Sequence, residues 1–117
     1  MSASTRAIEL TRLAARAADD KKATEPVALD VSSRMPLADV FLVLSGSNER
    51  QVVAIAEAVE EALHEQGAKA LRREGVREGR WALLDFNDVI VHVMHQEDRA
   101  YYELERLWKD CPVVTLD

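Results

Sequence analysis

Two short apolar runs, residues 40–44 and 89–94, constrain the fold of this sequence more than any other feature. Both are rich in aliphatic and β-branched side chains, which is typical of β-strands. Each falls well short of the roughly 18 to 20 residues that span a bilayer. Residues 1–22 alternate Arg and Glu with Ala and lack the apolar core of a signal peptide. We therefore expect a cytoplasmic chain without a membrane anchor, which the single Cys111 also favours.

The order of the predicted elements indicates the fold class. The 117 residues suffice for one domain, and no Gly-, Pro- or Ser-rich spacer divides them, so we expect a single domain over residues 1–117. Helices are predicted over residues 4–20, 48–66 and 98–108, and strands over residues 27–31, 40–45, 70–73, 81–85 and 89–94. The resulting order αββαβββα predicts an α/β (α+β) fold in which helices flank a mixed five-stranded sheet.

Two of the predicted helices carry signals that can be checked against a structure. In the helix over residues 48–66, Val52, Ile55, Val59 and Leu63 recur at helical spacing. We expect Ser47 to cap the start of this helix and Gly67 to take a left-handed conformation just past its end. Along the final helix, the predicted core stripe consists of Ala100, Tyr101, Leu104, Leu107 and Trp108. Tyr102 then falls outside the stripe, on an outward patch shared with Arg99 and Arg106, or is partly covered by the arginine stems.

Residue patterns that would indicate catalysis are weak. The turn Leu44–Ser47 has the position of the phosphate-binding loop of nucleotidyltransferases, but no Asp-x-Asp or Asp-x-Glu pair follows it to hold magnesium. We interpret it as a structural turn and predict no enzymatic activity, although a residual nucleotidyltransferase is the competing hypothesis. His92 and His95 are expected on opposite faces of a strand, so we predict no metal site and no cofactor.

The charge distribution points to a protein partner. The net charge is −6, and residues 85–117 hold three basic against eight acidic side chains. Tight binding of bare nucleic acid usually depends on a basic footprint. A basic protein is therefore the better expectation for a partner than RNA itself.

The strands over residues 81–85 and 89–94 form a hairpin whose two faces are both largely apolar. Alternation places Trp81, Leu83 and Asp85 on one face and Ala82 and Leu84 on the other. In the second strand, Val89, Val91 and Val93 likewise oppose Ile90, His92 and Met94. Either helices cover both faces, or one face remains as an apolar surface for a partner.

Four segments together resemble the ribosomal silencing factor family, also called the Iojap or RsfS family. They are residues 38–52, Arg73–Gly75, Trp81–Met94 and Arg99–Trp108. The combination of Glu-Gly, Trp-x-x-x-Asp, Val-His-Val and Tyr-x-Leu-Glu-x-Leu-Trp is specific, whereas each motif alone would be weak. The resemblance extends from about residue 5 to residue 114.

The resemblance implies a non-enzymatic factor with a reduced nucleotidyltransferase-like fold. Members of the family bind the large ribosomal subunit through its fourteenth protein and sterically block association with the small subunit, which represses translation under nutrient limitation. Relatives in organelles act in ribosome assembly, so a large-subunit assembly factor is the alternative function. The family also implies a possible homodimer when the protein is free.

We expect the partner-binding site on one face of the hairpin and at the start of the last helix. The predicted residues are Trp81, Leu83, Asp85, Val91, His92, Met94, Arg99 and Tyr102. Because the hairpin residues among them point to opposite faces, they cannot all contact one flat partner.

Overall fold

The computed structural model describes residues 2–116, and among these it contains four helices and five strands. Their bounds are α1 Thr5–Asp20, β1 Thr24–Asp30, β2 Val40–Gly46, α2 Glu49–Glu65, β3 Arg72–Glu74, β4 Trp81–Asp85, β5 Val89–His95, α3 Gln96–Tyr102 and α4 Leu104–Leu107. The predicted mixed five-stranded sheet flanked by helices is confirmed, while the last predicted helix is divided into two.

The centre of the sheet is the parallel pair β2 and β5. The strand order is β1-β2-β5-β4-β3, and the other neighbouring strands pair antiparallel. The parallel register runs from Val40 opposite Val89 to Gly46 opposite His95. Every residue of β2 is buried, as expected for a strand covered on both faces.

Helices α1 and α2 cover one face of the sheet, here called the first face. The predicted periodicity of α2 is confirmed, because Val52, Ile55, Val59 and Leu63 are all fully buried. They pack with first-face side chains of the sheet, which include Val40, Leu42, Leu44, Ala82, Leu84, Val89, Val91 and Val93. This layer is the main hydrophobic core.

The start of α2 corrects one sequence prediction. Asn48, not Ser47, is the N-cap, and its side chain accepts a hydrogen bond from the backbone N–H of Gln51. Ser47 lies one residue earlier, where its N–H and its hydroxyl both donate to Oε1 of Gln51. Gly67 has a φ of +82°, so its predicted left-handed conformation is confirmed.

Strands β1 and β3 differ most from the sequence prediction. β1 begins at Thr24 because a register shift between Thr24 and Val27 accommodates Pro26, which cannot donate to the ladder. β3 is an exposed edge strand whose position follows from pairing with β4, where Arg73 lies opposite Leu84. Its charged sequence carries no alternation that could have located it.

The predicted core stripe on the final helix is confirmed only at Leu104 and Trp108, which pack against the sheet. Glu103 has a φ of +49°, which ends α3 and places α4 in a different orientation. The 100° advance per residue therefore does not continue from Tyr101 to Leu104. Leu104 is buried, but Ala100, Tyr101 and Leu107 are exposed.

The turn before β4 gives a stability prediction. Gly75 has a φ of +71°, and a Cβ at this position would collide with the backbone carbonyl oxygen of Trp81. We expect Gly75→Ala to lower the free energy of unfolding by about 3 kcal/mol or more, because strain and a backbone clash add. Gly67→Ala, which meets open space, should cost only about 1–2 kcal/mol. Urea denaturation measures both, and equal losses would contradict the assignment of a clash.

Candidate partner-binding surface

The second face of the sheet is covered only in part. Leu104 packs against Val43 and Met94. The ring of Trp108 meets that of Phe41 edge-on, with the centroids 4.9 Å apart. These contacts cover the β2 side of the second face and leave the β4 side accessible.

We use the name β4 surface for the accessible part of the second face. It consists of Trp81, Leu83, Asp85, Ile90 and Tyr102, of which the first four are partly buried. Tyr102 is 53% exposed, and its ring lies 5.1 Å from that of Trp81. Two large aromatic rings next to aliphatic side chains form the kind of surface that is enriched at protein–protein interfaces.

Charged side chains border the β4 surface at the sheet edge. Arg72 on β3 lies 3.8 Å from the carboxylate of Asp85 and 3.6 Å from that of Glu74. Glu74 and Gly75 also line a shallow hollow together with Trp81 and Leu83. An apolar centre with a charged rim is the usual anatomy of an interface between proteins.

Six of the eight residues predicted to bind a partner belong to the second face. The structure brings four of them together on the β4 surface: Trp81, Leu83, Asp85 and Tyr102. His92 and Met94 lie beneath this surface and are buried. Sequence reasoning did not select Ile90, although the alternation that places His92 on this face also places Ile90 there.

The other two predicted residues are not part of the β4 surface. Val91 is fully buried on the first face, against α1 and α2. Arg99 is 7% exposed instead of lying on an outward patch with Tyr102. Its guanidinium donates to the hydroxyl of Ser45 at 2.8 Å and to Oε2 of Glu105 at 3.1 Å. The turn at Glu103 allows this contact, because it brings Glu105 back toward α3.

A hydrogen bond beneath the β4 surface joins its central aromatic residue to a buried histidine. The indole Nε1–H of Trp81 donates to Nδ1 of His92 over 3.1 Å. The other ring nitrogen of His92, Nε2, is buried and has no hydrogen-bond partner among residues 2–116. Burial lowers the pKa of His92 to about 4, so the imidazole is neutral near pH 7.

The backbone just before Trp81 is fixed by a network of ion pairs. Arg80 pairs with Asp98 and Glu97 at the start of α3, and with Glu49 at the start of α2. The hydrogen bond to Asp98 is the main reason why the pKa of Arg80 is raised. The network ties both helix starts to the residue that immediately precedes the β4 surface.

Residues of the turn between β2 and α2 are hydrogen-bonded to, and packed against, other residues of the chain. Ser45 is fully buried and accepts the hydrogen bond from Arg99, while Gly46 lies so close to Val52 that a Cβ would come within 2.9 Å of its Cγ2.

His92 and His95 are not brought together, since Nε2 of His95 faces Glu49 at 3.8 Å. Among residues 2–116 no three His, Cys, Asp or Glu side chains are grouped as metal ligands. In the same range no helix is long and apolar enough to cross a bilayer.

The buried His92 predicts a pH dependence of stability. As the pH falls below 6.5, the unfolded chain binds a proton at this imidazole that the folded chain does not, and this difference ends near pH 4. We expect His92 to account for a loss of about 3 kcal/mol in unfolding free energy over that interval. Urea denaturation of the parent and of His92→Leu at several pH values isolates the effect. Parallel curves would contradict the assigned pKa.

The comparisons with known proteins agree with this fold. Residues 4–117 match the family model described as ribosomal silencing factor during starvation. The ribosomal silencing factor RsfS of Halalkalibacterium halodurans is 48% identical over 109 residues, which are 93% of this chain and 93% of that protein. A crystal structure of a Chromobacterium violaceum protein has a TM-score of 0.84 and 39% identity, and covers 86% of this chain and 84% of that one.

A more distant relative comes from an organelle. The mouse protein named mitochondrial assembly of ribosomal large subunit protein 1 is 26% identical over 91 residues, which are 75% of this chain and 40% of that protein. The family model covers nearly the whole chain, and the match to the bacterial relative covers 93% of it. The chain belongs to the family of ribosomal silencing factors.

Proposed function

We propose that the chain binds the large ribosomal subunit through its fourteenth protein and, by its bulk, blocks association with the small subunit. This repression of translation would operate in the cytoplasm under nutrient limitation. The observation that carries the proposal is the β4 surface, which leaves Trp81 and Tyr102 in contact and accessible on the second face of the sheet. Membership of the ribosomal silencing factors supports a ribosomal partner.

The chemistry of the β4 surface fits a basic protein with an apolar contact patch. Trp81, Leu83 and Ile90 supply apolar area, and Asp85 supplies a carboxylate beside it. A basic ribosomal protein complements the net charge of −6. An acidic chain is also repelled by bare rRNA, so direct tight binding to nucleic acid is not part of the proposal.

The proposed action is that of a binding protein without catalysis, since a steric blocker needs only affinity and bulk. The turn after β2 supports this part of the proposal. The N–H of Ser47, which a phosphate-binding loop would offer to a nucleotide, donates to Gln51 within the chain over 2.6 Å. The hydroxyl of Ser45 likewise accepts a hydrogen bond from Arg99.

Two substitutions test the contact surface. We expect Trp81→Ala and Tyr102→Ala each to weaken binding to purified large subunits by about 1–3 kcal/mol, because both remove a large aromatic contact. Val113→Ala is the matched control, since Val113 is 72% exposed but lies beside β1, at the other edge of the sheet. Quantitative co-sedimentation measures the affinity, and thermal unfolding checks the fold. Unchanged binding by both aromatic variants would remove the β4 surface from the proposal.

Subunit joining tests the proposed action itself. Purified large and small subunits are mixed with increasing amounts of the chain, and joined ribosomes are quantified by sucrose-gradient sedimentation. We expect joining to decrease with the parent and with Val113→Ala, and to persist with Trp81→Ala at the same concentration. Undiminished joining at saturating parent protein would contradict the proposal.

The second candidate function is assembly of the large subunit, which the name of the mouse relative favours. An assembly factor would sediment with precursor particles and not with mature large subunits. The silencing function predicts binding to mature subunits, so one gradient separates the two. The homodimer of the free chain stays a prediction, which sedimentation equilibrium tests.

A further inference from the structure

We propose that His92 is a positioning residue, which holds the indole of Trp81 in the orientation that partner binding uses. This inference rests on the proposed function, because it assigns His92 a role in that same surface. His92 itself is 5% exposed and so offers little surface to a partner. It acts through Trp81.

The geometry defines how the indole is held. Trp81 lies opposite Met94 in the β4–β5 ladder and His92 lies opposite Leu83, so the two rings are diagonal neighbours on one face. The indole N–H donates to Nδ1 of His92 over 3.1 Å, while Tyr102 contacts the same indole at 5.1 Å between centroids. A directional bond and a ring contact together restrict the rotation of the Trp81 side chain.

The hydrogen bond also determines where the imidazole proton is. A neutral imidazole has one donor and one acceptor nitrogen, so acceptance at Nδ1 places the proton on Nε2. Because burial lowers the pKa of His92 to about 4, Nδ1 remains an acceptor throughout the neutral range. The orientation of Trp81 should therefore be independent of pH between 6 and 8.

The surroundings of His92 indicate that the histidine is costly for folding. Its ladder partners are Val43 and Leu83, and the ring of Phe41 lies 5.2 Å away. Nε2–H finds no acceptor within residues 2–116. A buried donor without an acceptor destabilises the folded state, whereas a leucine of similar size would leave none. What the histidine provides at this position is the hydrogen bond to Trp81.

Nuclear magnetic resonance of the free protein tests the bond without any ribosome. With ¹⁵N-labelled histidine, we expect the resonances of a proton on Nε2 and a bare Nδ1 at His92. Relaxation of the indole Nε1–H should report Trp81 as rigid as the backbone, and Trp108→Phe assigns which indole signal is which. A proton on Nδ1, or a freely mobile Trp81 indole, would overturn the inference.

Two substitutions separate positioning from a merely structural role. His92→Asn keeps an acceptor oxygen near the place of Nδ1 but leaves a cavity. His92→Leu fills the space and removes the acceptor. We expect His92→Asn to be less stable than the parent yet to bind large subunits within about threefold, and His92→Leu to be at least as stable but to bind about tenfold more weakly.

The two variants are therefore predicted to rank oppositely, with His92→Leu the more stable and His92→Asn the tighter binder. If affinity instead follows stability across the three proteins, His92 is structural and the inference fails. If the parent does not bind large subunits at all, the proposed function fails, and the indole relaxation in the two variants still decides whether His92 holds Trp81. Should His92→Leu not fold, a rigid Trp81 in His92→Asn supports the inference and a mobile one overturns it.

Discussion

The parallel pairing of β2 with β5 is the constraint on which the remaining structure depends. Two apolar strands side by side place aliphatic side chains on both faces of the sheet, so both faces need covering. Helices α1 and α2 cover the first face. The second face is covered by the short segment from α3 to Cys111 and by Val31, Met35 and Ala38 of the β1–β2 connection, which together leave β4 accessible. The β4 surface is thus accessible because the two faces of the sheet are covered unequally, and the proposed partner would cover it.

Ion pairs hold the short covering segment in place. Arg99 anchors the end of α3 to Ser45 on β2 and to Glu105, and Arg80 anchors the start of α3 to β4. These ion pairs also involve carboxylates of the acidic region, residues 85–117, from which the sequence analysis inferred a basic partner. Glu97, Asp98 and Glu105 all face arginines of the same chain. Electrostatic attraction to a basic partner therefore depends on fewer carboxylates than the sequence suggests, because Asp85 at the rim also faces Arg72, at 3.8 Å.

Local pattern was sufficient to predict most of the fold. Val52 to Leu63 show a clear helical period, and the alternation in Trp81–Asp85 sorts its side chains to the faces where the structure has them. β3 and the break at Glu103 depend on tertiary contacts instead. A charged three-residue edge strand has no pattern of its own, and a left-handed glutamate is unusual enough that continuous helix was the natural prediction. The prediction that Arg99 lies on an outward patch is wrong because of that break.

Residues of the β4 surface could be predicted from the sequence where strand alternation determines which face they occupy. Trp81, Leu83 and Asp85 follow from the alternation, whereas Val91 was selected despite it and lies in the first-face core. The hydrogen bond between Trp81 and His92 joins neighbouring strands diagonally, so no spacing in the sequence predicts it. In the proposed function, the β4 surface contacts the fourteenth protein of the large subunit. Electron cryomicroscopy of large subunits saturated with this chain tests it most directly. We expect Trp81 and Tyr102 to lie against that protein, on the side that receives the small subunit. Docking through α1 and α2, or against rRNA away from that protein, would contradict it.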